Sequence, residues 1–137
     1  KKLETGFRKT RLITFVISLM AAIITFFLAK YLILIAYGKD YLTSIFLLKL
    51  FAVFVLMGPI IGLYESYFIS QEKTKTIAIL LIITTIINIV LNIVFISYGL
   101  KFGMYEAILG AAIATLISRG IYLLGLGVWK KFKNKFP

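Results

Sequence analysis

The polar side chains of this sequence that could bind a ligand lie inside long apolar stretches. Asn88 and Asn92 follow Thr84 at i+4 and i+8, so the three lie on one helical face. Arg119 lies about halfway along another apolar stretch. Arginine cannot lose its charge, so Arg119 must meet a carboxylate such as Glu65, a carbonyl group, water or an anionic ligand. Two interpretations stay open: hydrogen bonds and ion pairs that hold helices together, or a polar cavity that binds an anion.

No residue pattern in the sequence indicates catalysis. The chain contains neither cysteine nor histidine, which removes thiolate nucleophiles, the commonest general base and the commonest metal ligand. The apolar stretches separate Asp40 and Glu106 from Glu65 and Glu72, so no carboxylate pair is expected. The sequence therefore predicts no catalytic residue, no metal site and no cofactor, and it argues against an enzyme.

The composition indicates the environment in which these residues act. Of the 137 residues, 61% are hydrophobic and 15% are charged, against roughly 45–50% and 25% in soluble domains. Because hydrocarbon offers backbone groups no partner, apolar segments must cross it as helices. Four stretches are long enough to cross, and they span about residues 12–37, 43–69, 76–98 and 106–129. We therefore expect an all-α membrane protein with four transmembrane helices in a single transmembrane domain, residues 1–137.

Two local patterns concern the shape and packing of these helices. Gly58 and Pro59 fall inside the second stretch, where proline removes a helical hydrogen bond and predicts a kink. Gly110, Ala114 and Ser118 recur every fourth residue in the last stretch. Small residues at that spacing let two helices approach closely, so this face is predicted to pack against another helix.

The formal charge of +11, from 16 basic and 5 acidic residues, predicts orientation rather than nucleic-acid binding. Lys30 and Lys49 lie within the apolar stretches and are expected to extend toward the outer surface, or to place positive charge in one outer vestibule. Basic residues concentrate on one side, which predicts that both termini are cytoplasmic and that anionic membrane lipids are partners. That side holds Lys1, Lys2, Arg8, Lys9, Arg11, Lys73, Lys75, Lys130, Lys131, Lys133 and Lys135.

Several motifs occur in a recognisable order. They are Tyr37-Gly38-Lys39-Asp40-Tyr41, a span with Gly58-Pro59 that closes on Ser70–Lys75, Asn88-Ile89-Val90-Leu91-Asn92, Tyr98-Gly99, and Leu109–Ser118. From about Thr10 to Trp129, this succession resembles the C-terminal portion of polysaccharide flippases of the multidrug/oligosaccharidyl-lipid/polysaccharide exporter superfamily. The insertion-like stretch Leu100–Leu109 departs from the family pattern. A fourth helix that began at Met104 would move Arg119 toward the cytoplasmic end of its span.

The resemblance implies a function and a larger assembly. Complete members of the family have twelve or more helices in two lobes around a central cavity, and they flip lipid-linked oligosaccharides across the cytoplasmic membrane. This chain would then be a C-terminal fragment of a longer transporter, with the remaining helices as partners and with Asn88, Asn92 and Arg119 as candidate substrate-cavity residues. Two alternatives stay open. One is an ion-coupled multidrug exporter of the same superfamily, for which the spans offer only Glu65 as an acidic residue. The other is a small structural membrane protein that oligomerises through the face of Gly110, Ala114 and Ser118.

Overall fold

The computed structural model describes residues 2–133, with side chains described for residues 4–132. In this part of the chain there are four α-helices and no strand. The helices are α1 (Lys2–Ala36), α2 (Ile45–Ile69), α3 (Thr74–Gly99) and α4 (Met104–Lys133), with a 3-10 helix at Lys39–Ser44 before α2. All four are long and apolar enough to cross a membrane, α2 together with its preceding 3-10 helix. The predicted all-α fold with four candidate transmembrane helices is confirmed, and the architecture is that of a multi-pass membrane protein.

The helices differ in their bounds from the apolar stretches of the sequence. The α1 helix begins at Lys2, ten residues before the predicted span, because its basic flank is helical as well. Tyr37 and the left-handed Gly38 (φ 86°) end this helix. Residues 39–44 then form the 3-10 helix rather than the first turn of α2, and Tyr41 within it has non-helical backbone angles. The basic residues at the extreme ends (Lys1, Lys135 and the side chains of Lys2 and Lys133) lie outside the described part.

The chain divides into two compact units, residues 1–60 and residues 61–137. The boundary falls within α2, one residue after Pro59, although α2 is assigned as one continuous helix across Gly58 and Pro59. Proline has no amide hydrogen, so the carbonyl of Val55 lacks its usual partner there. The kink itself stays a prediction.

The second unit is built on a tightly packed antiparallel hairpin of α3 and α4. A Cβ atom added to Gly99 would lie 2.6 Å from the Cα of Ala107, and one added to Gly110 would lie 2.6 Å from the carbonyl oxygen of Phe95. No real Cβ tolerates such distances, so glycine at these positions is what lets the two backbones meet. Farther along the same hairpin, Gly125 faces Leu80. These pairs fix an antiparallel register.

The first unit contains α1, the 3-10 helix and the beginning of α2. Ala29 and Ile33 of α1 are buried, whereas Phe27 is 73% exposed and Ile35 is 85% exposed. In water, such large apolar side chains would be costly to expose; lipid removes that cost. The surface of this unit therefore fits a hydrocarbon environment.

Candidate functional site

The polar residues of α3 and α4 meet in one hydrogen-bonded chain. Asn92 donates from Nδ2 to the backbone carbonyl oxygen of Asn88 at 2.9 Å and to its Oδ1 at 3.0 Å. Asn88 in turn donates from Nδ2 to the Oγ of Ser118 at 2.8 Å, and the Ser118 hydroxyl donates to the Thr115 carbonyl oxygen at 2.9 Å. The chain thus links the two helices through side chains. Asn88 is thus an interhelical hydrogen-bonding group, whereas Asn92, among the described residues, bonds only to Asn88 within α3.

This layer lies at the middle of both helices. Asn88 is 14 residues from the start of α3 and 11 from its end. Arg119 is 15 residues from the start of α4 and 14 from Lys133, which is about 20 Å from either end at 1.5 Å per residue. The α4 helix does begin at Met104, but it also runs to Lys133, so Arg119 is central rather than displaced toward one end.

A small polar cavity lies beside this chain of hydrogen bonds. Its volume is about 110 Å³, and it is lined by Leu81, Thr84, Thr85, Asn88, Thr115, Ser118 and Arg119. The structure therefore brings two of the predicted cavity residues, Asn88 and Arg119, to the same space. Asn92 does not line the cavity, but its hydrogen bond to Oδ1 of Asn88 holds the side chain that does.

Thr84 and Thr115 use their hydroxyl groups within their own helices. The Thr84 hydroxyl donates to the carbonyl oxygen of Leu80 at 2.9 Å, and the Thr115 hydroxyl donates to that of Ala111 at 2.9 Å. Since each hydroxyl donates its hydrogen to its own helix, it can act toward a ligand only as an acceptor. Among the lining side chains, the Arg119 guanidinium is the one charged donor group for a ligand.

Arg119 does not form an ion pair with Glu65, which the sequence offered as one of several possible partners. Among the described side chains, no carboxylate and no hydrogen-bond acceptor pairs with the guanidinium, and Arg119 is exposed. Glu65 has another partner. Its Oε1 accepts a hydrogen bond of 2.8 Å from the Tyr122 hydroxyl. A cation at mid-helix without a protein counter-charge must find water or an anion.

The contact between Glu65 and Tyr122 is the main feature that the sequence reasoning missed. Tyr122 is 1% exposed, and it continues the stripe of Gly110, Ala114 and Ser118 by one more step of four residues. The stripe then ends in the fully buried Leu126. Extending the four-residue spacing beyond Ser118 would have placed the Tyr122 hydroxyl on the buried face, where it needs a partner.

The small-residue face of α4 lies against α3 of the same chain. Gly110 lies against Phe95, Ser118 bonds Asn88, and Ala114 has no exposed surface. Since α3 covers this face, it is not available for association with a second copy. That observation counts against the oligomeric structural protein considered above.

The two lysines within the apolar part of the first unit have different surroundings. Lys30 is exposed on α1. Lys49 is half-buried, and its Nζ lies 5.0 Å from the centroid of the Phe26 ring.

The lining of the central cavity combines one positive charge with hydroxyl and amide groups around a volume of about 110 Å³, which suits a small anion. Guanidinium groups bind phosphate oxygens through two parallel hydrogen bonds, and the hydroxyl and amide groups can complete the shell.

In comparisons with known proteins, the chain matches no family model, no curated protein and no solved structure. The function is therefore argued from the residues and their geometry.

Proposed function

We propose that this chain is part of a transporter that flips lipid-linked polysaccharide precursors across the cytoplasmic membrane. The supporting observation is the mid-helix cavity at which Arg119, without a carboxylate partner among the described residues, lies beside Asn88 and Ser118. The order of motifs in the sequence supports the same class of protein.

In this proposal Arg119 contacts one phosphate group of the substrate. The carrier lipid of such precursors bears a pyrophosphate, and the cavity offers a guanidinium together with hydroxyl and amide groups that can bind phosphate oxygens. The sugar chain and the lipid tail would then lie against the remaining helices of the full-length transporter. Asn88 and Ser118 act as a rigid wall because their hydrogen bond ties α3 to α4.

The proposed topology places both termini in the cytoplasm. In the hairpin of α3 and α4, the antiparallel register brings Lys73 and Lys75 to the same end as Lys130 and Lys131, whereas Lys101 lies at the other end. The end with more basic residues is the cytoplasmic one by the positive-inside rule. The pyrophosphate contact would then lie near the middle of the bilayer.

One observation favours the second candidate, an ion-coupled multidrug exporter. Glu65 is a carboxylate within an apolar helix, and its partner among the described residues is the Tyr122 hydroxyl rather than a cation. Intramembrane acidic residues often carry protons or ions in transporters. In this candidate Glu65, rather than Arg119, is the essential residue.

Substitutions in the full-length protein distinguish the two candidates. Arg119→Ala is expected to abolish surface polysaccharide, with unchanged amounts of the protein in the membrane, whereas Arg119→Lys retains part of the export. Lys101→Ala, which removes a loop cation, serves as the control and leaves export intact.

Two results would contradict the flippase proposal. Normal surface polysaccharide in the Arg119→Ala variant would remove the flippase proposal. Drug sensitivity caused by Glu65→Gln, with an intact cell envelope, would establish the exporter instead.

A further inference from the structure

Three residues that weaken a helix lie close together in α2. They are Gly58, Pro59 and Gly62, and α2 has no other glycine or proline. In the interior of a helix, glycine costs about 1 kcal/mol relative to alanine, and proline costs about 3 kcal/mol. The segment 58–62 is therefore the part of α2 whose helical conformation is least stable by itself.

Packing does not account for the two glycines. A Cβ atom added to Gly58 or to Gly62 would meet nothing within 4 Å, whereas one added to Gly110 of α4 would lie 2.6 Å from the carbonyl oxygen of Phe95. Gly110 is thus required for the close approach of two backbones, and the glycines of α2 are not. What they contribute is the backbone freedom that glycine has in any surroundings.

The hydrogen bonds of the backbone are also weakened in this segment. Pro59 has no amide hydrogen to donate to the carbonyl oxygen of Val55, and its ring crowds that carbonyl group. One turn after the glycine at position 62, the Ser66 hydroxyl donates to the carbonyl oxygen of Gly62 at 2.8 Å. Bonds of this kind, to the carbonyl four residues earlier, often accompany bending of a helix. Both features make α2 easier to bend at the same place.

The division of the chain into compact units falls in this segment as well. One unit ends at Ile60, and the other begins at Ile61. The arm of α2 before this boundary carries Lys49, and the arm after it carries Glu65. Because each arm belongs to a different unit, the packing inside either unit does not hold the segment between the arms straight.

We propose that residues 58–62 form a hinge at which α2 bends reversibly in the membrane. Bending moves the arm with Lys49 relative to the arm with Glu65, and these are the two charged residues of α2. Proline is a usual cause of helix kinks, which exceed about 20°. The proposal requires only that α2 crosses a membrane, and it does not depend on the flippase proposal.

Distances between two spin labels test the hinge, and the absence of cysteine from the sequence allows labels at chosen positions. One pair is Phe51→Cys with Ile69→Cys, two exposed positions on either side of the hinge. The matched pair is Ile79→Cys with Ser97→Cys, two exposed positions in α3 with neither glycine nor proline between them. In both pairs the labels lie about 27 Å and five turns apart, so they share one face of the helix.

The 137-residue chain is reconstituted in phosphatidylcholine bilayers for this measurement. We expect the distance distribution of the α2 pair to be about twice as wide as that of the α3 pair, because a bend of about 20° or more moves the α2 labels by several ångström. Equal widths for the two pairs would overturn the proposal.

Alanine substitutions show whether the width arises at the hinge. The triple variant Gly58→Ala, Pro59→Ala and Gly62→Ala should narrow the α2 distribution to the width of the α3 distribution, because it restores the missing amide and removes both glycines. Gly6→Ala, where a Cβ atom also meets nothing within 4 Å, is the control and should leave the width unchanged. A width that persists in the triple variant would place the motion elsewhere and contradict the proposal.

Amide hydrogen exchange provides a second measurement that needs no label. Bending opens the hydrogen bonds donated by the amides of residues 60–62, so these amides should exchange about tenfold more slowly in the triple variant than in the unsubstituted chain, after correction for intrinsic rates. The amides of residues 86–88 in α3 should exchange equally in the two chains. Unchanged exchange at residues 60–62 would contradict a hinge at this place.

Discussion

The Nδ2 atom of Asn88 lies 2.8 Å from the Oγ atom of Ser118, and this hydrogen bond joins the midpoints of α3 and α4. It forms where the two backbones are already held close by Gly110. The bond has two consequences for the site. It fixes the side chain of Asn88 at the edge of the polar cavity, and it places Arg119, the next residue after Ser118, at the opening of the same cavity.

Ser118→Ala should loosen the hairpin of α3 and α4. The substitution removes the acceptor of the Asn88 amide, and such interhelical bonds contribute about 0.6–1.7 kcal/mol. We expect a loss of that size in the free energy of unfolding, measured by titration with a denaturing detergent. Thr85→Ala is the matched control, because Thr85 lines the cavity but is exposed. Equal losses in both variants would argue against the special role of the Asn88 bond.

Gly110→Ala should be more damaging than an alanine at another helical glycine. The added methyl group would lie 2.6 Å from the carbonyl oxygen of Phe95, so the helices must move apart, at a cost of about 1–3 kcal/mol. At Gly62, a Cβ atom meets nothing within 4 Å. Gly62→Ala should therefore stabilise α2 by about 0.5–1 kcal/mol through its better helix propensity. Unfolding of the two variants under the same conditions tests the opposite signs.

Tyr122→Phe should destabilise the second unit by leaving the Glu65 carboxylate without its hydrogen-bond donor. Hydrogen bonds to charged groups contribute about 1.5–3 kcal/mol, and an unpaired carboxylate in an apolar helix is unfavourable. The double variant with Glu65→Gln should recover part of the loss, since a neutral amide tolerates the missing hydroxyl better. Thermal unfolding of the two single variants and the double variant measures this coupling. Additive effects would show that the residues do not interact.

The absence of cysteine from the sequence makes the proposed topology easy to test. Single variants Lys39→Cys and Lys101→Cys should react with an impermeant maleimide added outside intact cells. Lys75→Cys should react only after the membrane is opened. Labelling of Lys75→Cys from outside would reverse the proposed orientation.

The sequence predicts the number and type of the helices, and it predicts their first and last residues less accurately. The uninterrupted apolar run from Thr76 to Leu100 predicted α3 to within two residues at either end. The span predicted from hydropathy begins at about residue 12, whereas α1 begins at Lys2, because hydropathy marks the apolar part of a helix and not the whole helix. The span predicted from about residue 43 begins in the 3-10 helix before Ile45, which hydropathy does not distinguish from an α-helix.

The candidate site was predictable in its residues but not in its contacts. Asn88 and Arg119 stand out because polar groups in apolar spans are energetically costly and usually have a structural or functional role. Whether Arg119 or Tyr122 contacts Glu65 depends on how α4 is rotated about its axis, and only the structure shows that Tyr122 does.

The sequence by itself determined that the chain has four apolar helices, which of their residues are polar and where the basic ends lie. These properties depend on composition along the chain, and such apolar segments cross hydrocarbon as α-helices. Only the tertiary structure decided that Asn88 bonds Ser118, that Tyr122 bonds Glu65 and that Arg119 keeps an open side. The physical reason is that a membrane helix is apolar nearly all round, so its periodicity does not show which face meets which neighbour. Close packing at Gly99 and Gly110 determines which faces of α3 and α4 meet, and this packing arises only when the two helices are in contact.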